Sequence, residues 1–392
     1  MKPLEDILVV DLTHVLAGPY CTKVLCDSGA KVIKIEYGSG DSYRYLGPII
    51  EGESPLFTIF NAGKNGLTLN LKTKRGLEIF NKLIQKADVL VENLRPSSAR
   101  DLHIDYDTLS SLNPRLIYCS ITGYGNTGPW RDKPGFDLIA QAQAGLMALT
   151  GYDKSPPVRI GGYVVDYLAG INAGYAILLA LLERLKTGKG QFIDISLLES
   201  AATISGYFLT LASCGFPVRR SGNQDLFTAP YGSFEARDGH VAIACIGDKL
   251  FVHFCEGLDL QWLVNDERFR DSVSRARHLE ALNMEISKAV KKLSVAEVLS
   301  RLERKSVPCS VVIDDVRDLS SNPQIQSRDT IRIVEHPRMG KIPLVSSPFR
   351  LSRSEMVVNA VAPRQGEDTF KILAELGYTA SEIEQLKVDG II

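Results

Sequence analysis

A chain of 392 residues with 45% hydrophobic and 23% charged residues has the make-up of a folded globular protein, long enough for two domains. Its net charge of −1 lacks the basic excess by which nucleic-acid binders hold a phosphate backbone, so no nucleic-acid partner is expected. Seven scattered cysteines, none in a CxxC pair, point to reduced thiols in a cytoplasmic compartment and away from a zinc site or disulfide framework.

The first fifteen residues place acidic groups before the first apolar run and lack the pattern of a secretory signal. Ile7–Leu12 reads as a buried strand, Ala17–Cys26 as a helix and Lys31–Glu36 as a second strand. The pattern repeats with a strand over Leu67–Leu71, a helix over Arg75–Ala87 and strands over Asp88–Leu94 and Leu116–Ile121. Short apolar strands alternating with helices of this length imply a parallel sheet covered on both faces, the α/β class. Two long helices are expected over 135–149 and 167–186, the second ending at Gly188 as a left-handed cap. The apolar run Tyr167–Leu182, interrupted by Gly170, Asn172 and Gly174, falls short of the roughly 20 residues that span a bilayer, so no membrane partner is expected.

The character changes around 215–230, where Gly215, Pro217, Gly222, Asn223 and Pro230 read as a linker. Tyr231–Ala236 and His240–Cys245 flank Arg237-Asp238-Gly239 as a hairpin, and helical patterns run from 274 to 304. The tail has β-type stretches at Ile331–Val334 and Lys341–Val345 and ends in two helices. The expected organisation is a discontinuous large domain (1–195 and 325–392) and a smaller α+β domain (225–320), joined by linkers at 196–224 and 321–324.

Four features carry chemistry. Asp166 in Gly161-Gly162-Tyr163-Val164-Val165-Asp166 stands before a long apolar helix. An aspartate there caps the helix, or acts as a nucleophile where backbone N–H groups and the helix dipole stabilise negative charge. Asp137 in Pro134-Gly135-Phe136-Asp137 also precedes a helix, and the two carboxylates could share a cleft in which one reacts and the other assists. The turn Gly123–Pro129 follows a strand, where ligands of open α/β sheets bind. Lys72, Arg95 and Arg100 lie near strand ends and could hold phosphates. Six histidines show no metal-ligand spacing, and no GxGxxG, GxxxxGK[ST] or GxSxG motif supports a dinucleotide, ATP or hydrolase site, so neither a metal nor a nucleotide cofactor is expected.

In this order the pieces resemble the family III CoA-transferases, which include formyl-CoA transferase and carnitine CoA-transferase. Seven ordered blocks carry the resemblance: residues 10–19, 30–36 followed by 38–41, 69–72, 91–96, 123–129, 134–141, and 165–166 with Gly170 and 187–191. It implies a Rossmann-like large domain containing both termini, a small domain and an interlocked homodimer. Asp166 takes the position of the nucleophile and Asp137 that of a glutamate beside it. Val15, Leu16 and Ala17, the segment Leu69, Asn70, Leu71 and Lys72, and Asn93, Leu94 and Arg95 match positions lining the CoA site, with Arg100 nearby.

The implied activity moves CoA from an acyl-CoA to a small carboxylic acid through an aspartyl anhydride and an aspartyl-CoA thioester, with a dicarboxylate donor such as succinyl-CoA suggested by general similarity. A free carboxylate has a pKa near ~4, so Asp166 is expected to be ionised. Tyr37 stands where formyl-CoA transferase has an arginine, so different contacts to the CoA adenine or phosphate are expected. Arg100-Asp101 stands where many members have Glu-Arg, which bears on the role of Arg100. The long glycine-rich loop of formyl-CoA transferase is missing between Asn223 and Tyr231, which weighs against oxalate. An α-methylacyl-CoA racemase needs a histidine where Phe136 stands, and a non-catalytic acyl-CoA binding protein would have no use for Asp166.

Overall fold

The structure is a computed structural model that describes residues 2–354, 356 and 360–392. Residues 355 and 357–359, inside the expected 325–392 segment, lie outside the described residues. The chain divides into two compact units, residues 1–144, 160–206 and 323–392 in the first and 145–159 and 207–322 in the second.

The first unit is built on six parallel strands: β1 Leu8–Asp11, β2 Lys31–Glu36, β3 Asn65–Thr68, β4 Val89–Glu92, β5 Ile117–Thr122 and β6 Phe192–Ser196. Their order across the sheet is β3-β2-β1-β4-β5-β6, in register Val9 with Val32 and Val89 on either side. The central strands are buried on both faces, and that is why they read as unbroken apolar runs. From β1 the chain winds outward to β3, then crosses back to β4 and winds the other way. The loops after β1 and β4 therefore diverge and leave a crevice at the strands' carboxyl ends.

Several boundaries differ from expectation for local reasons. The third strand ends at Thr68, because Leu69–Lys72 turns: Asn70 Oδ1 accepts from Lys72 N, and Thr73 caps the helix Lys74–Ile84. The helix expected over 135–149 is two, Asp137–Gln143 and Leu146–Leu149, separated by Gly145 at φ 80°. The stretch 196–224 is not an extended linker, since Leu197–Ser213 is helical. The helix Val164–Thr187 is 24 residues long and, by length and composition, could cross a membrane, so the interruptions do not shorten it. Gly170 instead lies on its buried face, where an added Cβ would stand 2.6 Å from the Ala17 carbonyl oxygen, so two helices meet almost backbone to backbone. Half of its apolar window is buried inside the chain.

The C-terminal helices Thr369–Glu375 and Ala380–Val388 pack beside β3, with Ile391 O accepting from Asn70 N. The second unit has its own apolar core around a three-stranded antiparallel sheet: β7 Tyr231–Ala236, β8 Gly239–Ala244 and β9 Cys309–Val311. An antiparallel hairpin of β10 Ile331–His336 and β11 Gly340–Val345 completes the first unit.

Candidate active site

At the crevice between the β1 and β4 loops lies a cavity of about 240 Å³. Its wall contains His14, Val15, Leu16 and Ala17 from the first loop, Asn93, Leu94 and Arg95 from the second, the end of β5, Arg131, Lys133, Pro134, Gly135 and Phe136, and Asp166. Of the expected CoA-contact residues, six thus line one space with the expected nucleophile. Leu69, Asn70, Leu71 and Lys72 follow β3 on the same edge of the sheet but do not line the cavity, and neither does exposed Arg100.

Asp166 is not the cap of its helix. The helix begins at Val164, with Tyr163 preceding it, and Asp166 stands in the first turn. Only 8% of the residue is exposed, and its carboxylate accepts no hydrogen bond among the described residues. That leaves it facing the cavity with both oxygens available. Burial, reinforced by the charge of Asp137, pushes its carboxyl up to about 7. The expectation of a fully ionised group near the usual carboxylate pKa is therefore corrected: burial penalises the charged form, and no donor offsets the penalty.

Asp137 does the capping, across the fold. Its Oδ2 accepts from Val165 N at 2.8 Å and Asp166 N at 3.3 Å, and its Oδ1 accepts from Gln141 Nε2 at 2.6 Å. Gln141 Oε1 in turn accepts from Ile160 N. Both oxygens of Asp137 are engaged and the residue does not line the cavity, so it holds the helix turn that carries Asp166 and acts on that carboxyl through its charge. It also occupies first-turn amides that could otherwise have served as oxyanion donors. The start of the helix Ala17–Asp27, uncapped by any side chain, keeps its first N–H groups free of intrahelical partners and borders the same cavity.

A buried ionic network holds the first loop. Lys34 pairs with Asp41 at 3.1 Å, Lys64 with Asp11 at 2.9 Å and Arg44 with Glu36 at 2.6 Å. Burial works against ionisation of Asp11, yet the ammonium groups of Lys64 and Lys34 hold its carboxyl well below the usual range. Lys34 Nζ donates to Thr13 O, and Asp41 Oδ1 accepts from Val15 N. Val15 sits at φ 70°, a conformation that costs a β-branched residue about 1–3 kcal/mol and persists only where its surroundings enforce it. Asn93 joins the two loops reciprocally, accepting from His14 N and donating to His14 O. Beneath the second loop, Glu92 accepts from Leu94 N at 2.6 Å.

Asp11, Lys34 and Asp41 carry no expectation from the sequence beyond belonging to matched blocks, and Lys64 lies outside those blocks. Lys34 inside the strand Val32-Ile33-Lys34-Ile35 was the available signal, because a lysine among buried apolar neighbours needs a partner. Among the described residues no three His, Cys, Asp or Glu side chains gather as a metal site requires.

Residues 4–369 match the profile of CoA-transferase family III. The chain belongs to that family. Among its relatives, succinyl-CoA:glutarate CoA-transferase of Mus musculus is 35% identical over 400 residues, covering 100% of this chain and 91% of the relative. Acetyl-CoA:oxalate CoA-transferase of Acetobacter aceti is 36% identical over 353 residues, with 89% of each covered. The fold is similar to the crystal structure of a CAIB/BAIF family protein from Brucella suis, with a TM-score of 0.84 and 33% identity over 96% of this chain and 99% of that one. A family III CoA-transferase uses CoA thioesters as substrates, so the crevice residues are to be read against a thioester and a carboxylate.

Proposed function

We propose that this CoA-transferase moves CoA from an acyl-CoA to a carboxylic acid by way of covalent intermediates on Asp166. The carrying observation is the state of that side chain: buried, lining the cavity and, among the described residues, without a hydrogen-bond donor. A poorly solvated carboxylate of raised basicity is a stronger nucleophile than one in water.

The ionised carboxylate attacks the thioester carbonyl, forming the aspartyl-acyl anhydride as the C–S bond breaks and CoA leaves as thiolate. The thiolate attacks the aspartyl carbonyl, giving aspartyl-CoA thioester and the first free carboxylate. The second carboxylate attacks that thioester, again expelling the thiolate, which then takes the new acyl group from the anhydride and frees Asp166. Every step exchanges one activated carbonyl for another, so charge and atoms balance without ATP or a metal. The N–H groups of Ala17 and Gly18, at the start of their helix, are suited to the developing oxyanion.

In this reading Val15, Leu16 and Ala17 with Asn93, Leu94 and Arg95 flank the pantetheine arm, and Lys72 and Arg100 lie outward along the same sheet edge for the nucleotide. Phe136, exposed and lining the cavity, offers only hydrocarbon where an isomerase of the racemase type needs a base. Relatives named for glutarate and oxalate support dicarboxylic acids as the substrate class. A second copy of the chain covers the apolar face of the helix Val164–Thr187, whose Ile171, Tyr175, Leu178, Leu182 and Leu185 are exposed. Seven unpaired thiols are consistent with the reducing, cytoplasmic compartment proposed for it.

Incubation with succinyl-CoA followed by hydroxylamine and peptide mass spectrometry tests the covalent route. The expected product is the hydroxamate of Asp166. An unmodified Asp166 peptide from enzyme that is turning over rejects it.

A further inference from the structure

We propose that Arg131 and Lys133 form an anion subsite that binds the distal carboxylate of a dicarboxylic acyl group while its other end reacts at Asp166. The inference rests on the transferase reading above and adds to it the residues that select the acid.

Both cations line the same cavity as Asp166. The cavity holds about 240 Å³, space for an acid of four or five carbons. The pantetheine arm of CoA is about as long as four residues of extended chain, roughly 14 Å. Side chains sharing so small a space with the nucleophile therefore lie too near the reacting carbon to be the partners of the CoA phosphates. Charge placed there meets the acyl group.

The segment that carries them is held at both ends. An added Cβ on Gly123 would fall 2.7 Å from Gly135 Cα, so the loop closes backbone against backbone at its base. Asn126 donates its backbone and side-chain N–H groups to Asp194, and its side chain also reaches Ser120 Oγ at 3.0 Å. At the tip, Trp130 packs edge-on to Tyr124 with ring centroids 5.6 Å apart. Lys133 Nζ lies 4.5 Å from the centre of the Trp130 ring, and Lys133 N donates to Trp130 O. An aromatic face holds an ammonium in place without neutralising it. Lys133 has no carboxylate partner within 4.0 Å among the described residues, and Arg131 meets only its exposed neighbour Asp132, at 3.2 Å. Two cations on a pinned loop beside a buried carboxylate give the acid a direction: one end repelled from Asp166 unless activated, the other held by the loop.

The test compares glutarate with pentanoate, which has the same chain length and one carboxylate, as acceptors from succinyl-CoA and from butyryl-CoA. In the variant Arg131→Ala/Lys133→Ala, selectivity for glutarate over pentanoate should fall about tenfold to a hundredfold, the worth of one or two charge-assisted contacts. The loss should appear in the KM for the acid, with the KM for butyryl-CoA unchanged. The variant Lys133→Glu should shift preference toward 5-aminopentanoate, which carries a cation at the distal position. An equal loss for both acids together with a raised KM for butyryl-CoA assigns the cations to CoA and overturns the proposal, as does unchanged selectivity. If the wild type exchanges no acid at all, the transferase reading fails on its own account; calorimetric binding of glutarate against pentanoate to wild type and variant then decides the subsite separately.

Discussion

Replacing Asp166 by asparagine should make the ligand-free protein more stable, and only at higher pH. Lifting the carboxyl from 3.8 to about 7 costs the folded state about 4 kcal/mol once the group is ionised, at about 1.4 kcal/mol per tenfold change in affinity for the proton. The folded chain holds this proton more tightly than the unfolded chain does. The penalty is therefore absent below pH 3.8, grows between pH 3.8 and 7 and is complete above 7. Asparagine keeps the shape of the side chain and cannot ionise. The variant should match wild type near pH 4 and gain about 2–4 kcal/mol at pH 8, the lower figure allowing for water entering the cavity. For a unit of this size each kcal/mol moves Tm by roughly 1–2 °C, so scanning calorimetry across pH should show a gap of several degrees opening with rising pH. A gap that is constant with pH, or a variant less stable than wild type at pH 8, would refute the claim that Asp166 is a strained, poorly solvated carboxylate. The same variant should lose transfer activity, because stability and reactivity draw on one desolvated charge.

Three further outcomes follow from the geometry. The kcat/KM of wild type should rise with pH through about 7 and then level, because only ionised Asp166 attacks; Asp137→Asn should move that rise to lower pH without bringing it to the ordinary carboxylate value, since burial is the larger cause of the shift. Lys64→Met should cost about 3–5 kcal/mol in urea denaturation, because it strips Asp11 of a buried counter-charge; a loss under about 1 kcal/mol would mean that Lys34 and the hydroxyls of Thr13 and Thr22 suffice. Gly170→Val should force its helix away from the Ala17 carbonyl, destabilising the protein by about 1–3 kcal/mol and abolishing turnover; an active variant with an unchanged melting curve would show that the close approach is not needed.

Much of the fold was legible because it depends on local signals. The apolar runs at β1, β2, β4 and β5, the helix Ala17–Asp27 and the left-handed Gly188, observed at φ 71°, follow from short-range patterning. The edge strand β6 was missed because Phe192-Ile193-Asp194-Ile195 is exposed on alternate residues and lacks the continuous apolar run of its neighbours. Helical periodicity across 135–149 concealed the break at Gly145, since period alone says nothing of a φ that the rest of the fold imposes.

Six of the residues around the crevice, with Asp166, were singled out in sequence order, yet order left open what each one touches. Asp166 had the same neighbours in sequence whether it capped a helix or faced a substrate. The structure shows a second carboxylate 29 positions away taking over the cap, which leaves Asp166 without a donor among the described residues. The sequence by itself determined the α/β class and the membership of one enzyme family, and it singled out Asp166 as the candidate nucleophile, all of which rest on residue type and spacing. The tertiary structure alone decided the raised basicity of Asp166, the strain at Val15 and the placing of Arg131 and Lys133 around the cavity that Asp166 lines. Desolvation, enforced backbone angles and the convergence of charges arise only when segments far apart in the chain pack together.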